Sequence, residues 1–200
     1  MSEINRRQML SALGAAPVVA FTWTELEARV AGERAQQARA EAAAAGQPYA
    51  PKFFTAAEFA TLTVLADLIL PRDARSGSAS EAGTLEFIDF IVGEQPNRQV
   101  PMRGGLAWLN AECQQRFEKT FLDAADAERR QVLDDIAWPA KARPEVSHGV
   151  AFFNTLRDLV ASGFWSSRMG MNDIGYMGNR VSAWDGAPAA VLQKLGVSYE

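Results

Sequence analysis

Hydrophobic residues recur at intervals of three and four along most of the chain, which is the period of an amphipathic α-helix. The first clear segment begins at Thr55, whose spacing to Glu58 is that of a capping box, and Pro71 ends it. Its apolar face consists of Phe59, Leu62, Leu65, Leu68 and Ile69. The pattern therefore predicts one helix here, followed by a polar loop over residues 72–83.

The helical period continues after this loop. It is found in four further segments, at residues 85–92, 106–117, 132–136 and 152–160. We expect Asp126 and Ser147 to cap the last two of these helices and Gly163 to lie past the end of the fourth. A short final helix is predicted over 188–195, with proline in its first turn. No segment alternates as a strand does, so the predicted fold class is all-α, an irregular orthogonal helical array or bundle.

Residues 23–50 differ in composition from the rest of the chain. They are dense in alanine, glutamate, arginine and glutamine, which favour helix, but contain few large apolar side chains to bury. We predict a partly detached helix that ends at Gly46, then a linker containing Pro48 and Pro51, and a single helical domain over 51–200. This helix either docks on a partner or serves as a solvated spacer.

The N-terminus carries the adjacent pair Arg6 and Arg7 ahead of a modest apolar run at residues 12–21. This arrangement is typical of a twin-arginine export signal, and the run is short for a membrane span. Residues 1–22 are therefore predicted to be a twin-arginine signal or an anchor, which implies a periplasmic, inner-membrane-associated protein. The alternative is a capped amphipathic helix with solvated arginines. Whether the segment is cleaved after Ala20 or retained stays open.

Composition and motifs exclude several classes of function. The formal net charge of −4 argues against a nucleic-acid-binding protein. Cys113 and His148 are the single residues of their types, which weighs against a His/Cys metal cluster. We expect Cys113 to be a small buried hydrophobe and His148 a solvated or helix-start residue. Nucleotide-binding glycine motifs and a nucleophile elbow are missing, so we predict no catalytic, cofactor-binding or metal-binding residues in this chain.

Residues 152–180 carry the most distinctive pattern, in which a helix is predicted to pass into a long C-terminal loop rich in glycine and aromatic residues. Its glycines are suited to positive φ or to close backbone approach. Aromatic and arginine side chains dominate binding energies at protein interfaces. The candidate partner-binding residues are Phe164, Trp165, Ser167, Arg168, Tyr176 and Asn179. The alternative is a loop folded back over its own helices.

On these residues the sequence resembles the gluconate 2-dehydrogenase subunit 3 family. The resemblance covers about residues 54–197, and its best marks are the segments 156–157, 163–167, 169–170 and 173–179. Residues 68–73 and the arginine pair support it. The stretch Phe164-Trp165-Ser166-Ser167 departs from the tyrosine- and threonine-containing form of gluconate enzymes. It is closer to relatives paired with other flavin dehydrogenases, such as glycoside 3-dehydrogenases.

The resemblance implies a small non-catalytic subunit of a periplasmic dehydrogenase that oxidises sugars, sugar acids or glycosides. Its large partner would be a flavoprotein of the glucose–methanol–choline (GMC) type, which carries FAD and the catalytic base. A cytochrome c subunit often accepts the electrons. The small subunit would supply the signal for the twin-arginine (Tat) translocon and help its partner fold or load flavin. Two other hypotheses remain: a helical periplasmic structural or binding protein unrelated to redox chemistry, and a stand-alone helical enzyme using His148.

Overall fold

The structure is a computed structural model that describes residues 25–178 and 186–198. These residues form eight α-helices and one 3₁₀ turn, and none of them lies in a β-strand. The helices are α1 (Glu25–Ala44), α2 (Ala56–Ile69), α3 (Thr84–Glu94), α4 (Pro96–Phe117), α5 (Asp126–Ile136), α6 (Ser147–Ser166), α7 (Arg168–Asp173) and α8 (Ala189–Leu195), with the 3₁₀ turn at Pro144–Val146. The predicted all-α fold class is confirmed.

Helix α6 is the centre of the array, because it packs against each of α1 to α5 and against α7. Its buried side chains follow the helical period and include Phe152, Leu156, Leu159 and Val160. Side chains from α2, α3, α4 and α5 complete one hydrophobic core around it. The apolar stripes that the sequence displays therefore all face the same interior.

Helix α2 begins and ends where its local residues dictate. The Thr55 hydroxyl accepts a hydrogen bond from the Glu58 amide at 3.2 Å, and the Glu58 carboxylate accepts one from the Thr55 amide at 2.8 Å. This reciprocal pair is the predicted capping box. The helix stops at Ile69, just before Leu70 and Pro71, because proline lacks an amide hydrogen for the helical ladder.

Helix α1 corrects the prediction of a partly detached helix. It packs against α3 and α6, with Ala31 at 0% and Ala35 at 6% exposure. The Arg39 guanidinium also donates a hydrogen bond to the Glu81 carbonyl oxygen at 2.8 Å. The prediction failed because small side chains bury little area singly, yet they allow two helices to approach closely enough to pack.

Asp89, on α3, holds the linker between α1 and α2 in place. Its carboxylate accepts hydrogen bonds from the Tyr49 hydroxyl at 2.8 Å and from the amides of Lys52, Phe53 and Phe54 at 2.7, 3.0 and 3.0 Å. Burial and this hydrogen bond raise the pKa of Tyr49 well above its ordinary value. Asp89 is only 1% exposed, so the four donors compensate the cost of burying its charge.

Three predicted helix ends differ in the structure. Asp126 and Ser147 are the first helical residues of α5 and α6, so neither is the residue that caps its helix. The Glu128 carboxylate caps the start of α5 instead, by accepting a hydrogen bond from the Ala125 amide at 2.7 Å. Gly163 lies inside α6, where an added Cβ would come within 2.9 Å of the Phe87 ring on α3. This glycine permits close helix packing and does not end the helix.

Residues 1–22, including Arg6 and Arg7, lie outside the described residues, so the export signal stays a prediction. Within residues 25–178 and 186–198, no helix combines the length and the hydropathy needed to cross a membrane.

Candidate partner-docking site

The junction between α6 and α7 is built around Ser167. Its hydroxyl donates to the Phe164 carbonyl oxygen at 2.6 Å, at the end of α6, and accepts from the Gly170 amide at 3.1 Å, in the first turn of α7. A Cβ at Gly170 would lie 2.1 Å from the same Phe164 oxygen, which leaves room for glycine alone. The sequence Ser167-x-x-Gly170 therefore fixes the direction in which α7 leaves the core.

Phe164 and Trp165 lie in the last turn of α6, not in a loop, which corrects the prediction that a loop begins after Gly163. Phe164 is 0% exposed and Ser167 is 8% exposed, so both belong to the interior and cannot serve as surface anchors. Trp165 is half-buried and packs edge-on against Phe164, with ring centroids 5.6 Å apart. The sequence pattern was misleading because two kinds of glycine look the same in a sequence. A glycine such as Gly163, which allows two helices to pack closely, cannot be told from a glycine that ends a helix.

The exposed end of the site follows α7. The Gly175 amide donates to the Asn172 carbonyl at 3.1 Å and the Tyr176 amide to the Met171 carbonyl at 2.9 Å, with Gly175 at a φ of +69°. This is the Schellman arrangement that ends a helix, and its left-handed position favours glycine. The chain beyond it presents what we call the exposed apolar segment: Ile174, Tyr176 and Met177, at 52%, 58% and 66% exposure.

The loop over residues 72–83 contacts the C-terminal end of α7. The guanidinium of Arg75 donates to the Asp173 carbonyl oxygen, and its Nε lies 3.5 Å from the Asp173 carboxylate. The loop that carries Arg75 is itself ordered, since Glu81 accepts the Ser78 amide at 2.7 Å and pairs with Arg72. The Ser78 amide and the Arg72 guanidinium lower the pKa of Glu81. Residues 72–83 thus form an ordered loop that contacts the last residue of α7, directly before the exposed apolar segment.

Five of the six predicted partner-binding residues are among the described residues, and they separate into three groups. Phe164 and Ser167 are internal, Trp165 is half-buried, and Arg168, at the start of α7, and Tyr176, just past its end, are exposed. Asn179 lies outside the described residues. The prediction omitted Ile174, Met177 and Arg75. The first two stand within the segment that carried the family resemblance, but their exposure depends on the direction of α7.

The residues considered for chemistry lie away from this surface. Cys113 is a fully buried free thiol whose pKa is raised by burial, which confirms that it packs as a small hydrophobe. His148 is exposed in the first turn of α6, the helix-start position predicted for it. Among the described residues, no group of three or more His, Cys, Asp or Glu side chains is arranged to hold a metal ion.

The fold and the surface together define the class of protein. It is an all-α protein in which an exposed apolar segment follows the hydrogen-bonded junction between α6 and α7. The family model described as Gluconate 2-dehydrogenase subunit 3 matches residues 56–186, which is more than half of the chain. The chain therefore belongs to the gluconate 2-dehydrogenase subunit 3 family, whose members are accessory subunits of a dehydrogenase complex. No curated protein and no solved structure gave a significant match.

Proposed function

We propose that this chain is the small, non-catalytic subunit of a periplasmic dehydrogenase that oxidises a sugar, a sugar acid or a glycoside. In this proposal the catalytic partner is a GMC-type flavoprotein that carries FAD, and a cytochrome c subunit receives the electrons. The chain provides the twin-arginine signal for both subunits and stabilises the large subunit during folding. Membership in an accessory-subunit family is the observation that carries the proposal.

The exposed apolar segment supports a docking role at the end of α7. Its three residues, Ile174, Tyr176 and Met177, are each more than half exposed although they are apolar or aromatic. Such residues contribute most to binding when a partner covers them. The Arg75–Asp173 contact and the Ser167 cap hold this surface in one conformation, which lowers the entropy lost on association.

The proposal is tested by affinity purification of the tagged chain from its native cell envelope, followed by an absorption spectrum and mass spectrometry. We expect a co-purifying GMC-type flavoprotein and flavin absorbance in the same fraction. A colourless chain that is recovered alone under gentle conditions would contradict the proposal. It would favour instead a helical protein with the family fold and no dehydrogenase partner.

Replacement of Tyr176 by alanine tests the docking surface. We expect the affinity for the large subunit to fall by about 30-fold, since truncation of an aromatic anchor costs about 2 kcal/mol. Flavin recovered per tagged chain measures this loss. Trp138→Ala is the matched control, because Trp138 is also an exposed aromatic residue, at 47%, but lies after α5. Equal losses in both variants would remove the assignment of this surface.

Substitution of Arg6→Lys and Arg7→Lys together tests the export role. We expect the large subunit and its dehydrogenase activity to stay in the cytoplasmic fraction, because the twin-arginine route reads the arginine pair. Arg29→Lys, at an exposed position of α1, is the control and should leave export unchanged. Normal periplasmic activity in the double variant would show that export does not depend on this signal.

A further inference from the structure

Helix α1 precedes residue 56, where the family match begins, so it is an addition to the helical core that the family model covers. The buried side chains among its described residues belong to Ala31 and Ala35. Helix α6, in contrast, is held by large side chains such as Phe152 and Leu156. Because hydrophobic stabilisation scales with the apolar area removed from water, α1 is attached to the core more weakly than α6 is.

The contact between α1 and α3 is closed only in part. A groove of about 420 Å³ separates the two helices beside Phe90. Glu86, on α3, is 8% exposed, and its Oε2 atom has no hydrogen-bond partner among the described residues. Its other oxygen lies 3.8 Å from the Arg39 guanidinium of α1, which is too far for a hydrogen bond. A buried carboxylate is costly unless donors satisfy it, so the docked position of α1 contains an unfavourable contribution that water would relieve.

Helix α1 has contacts of its own that do not depend on the core. Two side-chain hydrogen bonds join residues four apart along the helix: Arg29 to Glu33 at 2.9 Å and Gln37 to Glu41 at 3.0 Å. A Schellman arrangement ends the helix, in which Gly46 has a φ of +66° and the Gln47 amide donates to the Ala42 carbonyl oxygen at 3.0 Å. The helix therefore keeps these contacts when it leaves the core.

Residues 45–48 connect α1 to a stretch of chain that is fixed to the core. They are exposed, and an added Cβ at Gly46 would meet nothing within 4 Å. The fixed stretch begins at Tyr49, whose hydroxyl donates to Asp89 and whose ring centroid lies 5.6 Å from that of Phe59 on α2. The amides of residues 52–54 complete the attachment to Asp89. The boundary between the weakly held and the firmly held chain thus lies just before Tyr49.

We propose that α1 is a hinged arm that undocks from α3 and α6 by rotation at residues 45–48, while Asp89 keeps residues 49–54 on the core. The arm has 20 residues and is therefore about 30 Å long, so its first residue moves by up to a comparable distance. Undocking exposes Glu86 to water. In the export role, which rests on the proposed function, the movement carries the residues that precede α1 away from the core.

Hydrogen–deuterium exchange of the purified full-length chain, followed by mass spectrometry, tests the arm. We expect the amides of α1 to exchange about tenfold or more faster than those of α6, while the amides of residues 52–54 stay protected. Arg39→Ala should accelerate exchange in α1 several-fold, because it removes the hydrogen bond to the Glu81 carbonyl oxygen. Glu86→Leu should slow it, because an apolar side chain replaces the incompletely paired carboxylate. Arg29→Ala is the matched control, since Arg29 is an exposed arginine whose ion pair lies within α1.

The exchange measurement needs no partner, so its outcome does not depend on the proposed dehydrogenase role. Equal protection of α1 and α6 would overturn the proposal, because α1 would then open only with the whole fold. Joint exchange of α1 and residues 52–54 would also overturn it, since the hinge would not lie at residues 45–48. Equal acceleration by Arg39→Ala and Arg29→Ala would indicate fraying of the helix itself and would likewise overturn it.

Thermal melts followed by circular dichroism establish that each variant is folded. If Glu86→Leu does not fold, the comparison of Arg39→Ala with Arg29→Ala still decides the outcome, because both arginines are at exposed positions of the same helix.

Discussion

Gly105→Ala is expected to lower the free energy of unfolding by about 2–3 kcal/mol, whereas alanine at the adjacent Gly104 should raise it by about 0.5–1 kcal/mol. At Gly105 an added Cβ would lie 2.0 Å from Cδ2 and 2.6 Å from Cβ of Phe152, on α6. Rotation of the phenyl ring does not move the Phe152 Cβ, so the two helices must separate. At Gly104 nothing lies within 4 Å.

Urea denaturation of the two single variants measures this difference. Both positions lie in α4, so the gain in helix propensity is the same for each and only the contact with α6 differs. Stabilisation by both substitutions would show that α4 and α6 are not as closely packed as the structure has them.

The second large effect is expected for Asp89→Asn, which should lower the free energy of unfolding by about 3 kcal/mol. Asparagine has one carbonyl oxygen where aspartate has two acceptor oxygens, so its NH₂ group must face either the amides of Phe53 and Phe54 or the Lys52 amide and the Tyr49 hydroxyl, and at least one backbone amide loses its acceptor. The charge that strengthens the remaining hydrogen bonds is also lost. Because Asp89 is 1% exposed, water cannot replace the missing acceptor.

Chemical denaturation at neutral pH checks the prediction, with two comparison variants. Tyr49→Phe removes one of the four donors and should cost about 1–1.5 kcal/mol. Asp134→Asn, at an exposed position of α5, should change stability by less than about 0.5 kcal/mol. A loss at Asp89 no larger than that at Asp134 would mean that the linker is not held by this carboxylate.

Much of the fold was predictable from the sequence because the relevant interactions are local. The apolar period identifies α2 to α6, since residues three and four apart share one face of a helix. The Thr55–Glu58 pair begins α2 and Pro71 follows its end, and both effects act within one turn of the chain. The family membership was likewise visible in the segment from residue 152 to 180.

Only the tertiary structure showed which glycines end a helix and which aromatic side chains are buried, because both depend on the distant residues that pack against them. Gly163 and Gly175 look alike in sequence, but the first lies against Phe87 inside α6 and the second ends α7 at positive φ. Phe164 and Tyr176 are both aromatic, yet one is 0% exposed and the other 58%. Local sequence cannot distinguish these cases, because burial is set by residues distant along the chain.

Asp89 and helix α1 also show which features the sequence determined and which only the tertiary structure determined. The sequence alone determined that residues 23–50 favour a helix and that α3 has an apolar face. Only the tertiary structure brings Asp89 to the amides of residues 52–54 and sets the alanines of α1 against α3 and α6. The physical reason is that helix formation depends on neighbours within four residues, whereas the packing of helices and the pairing of buried charges depend on contacts between distant segments.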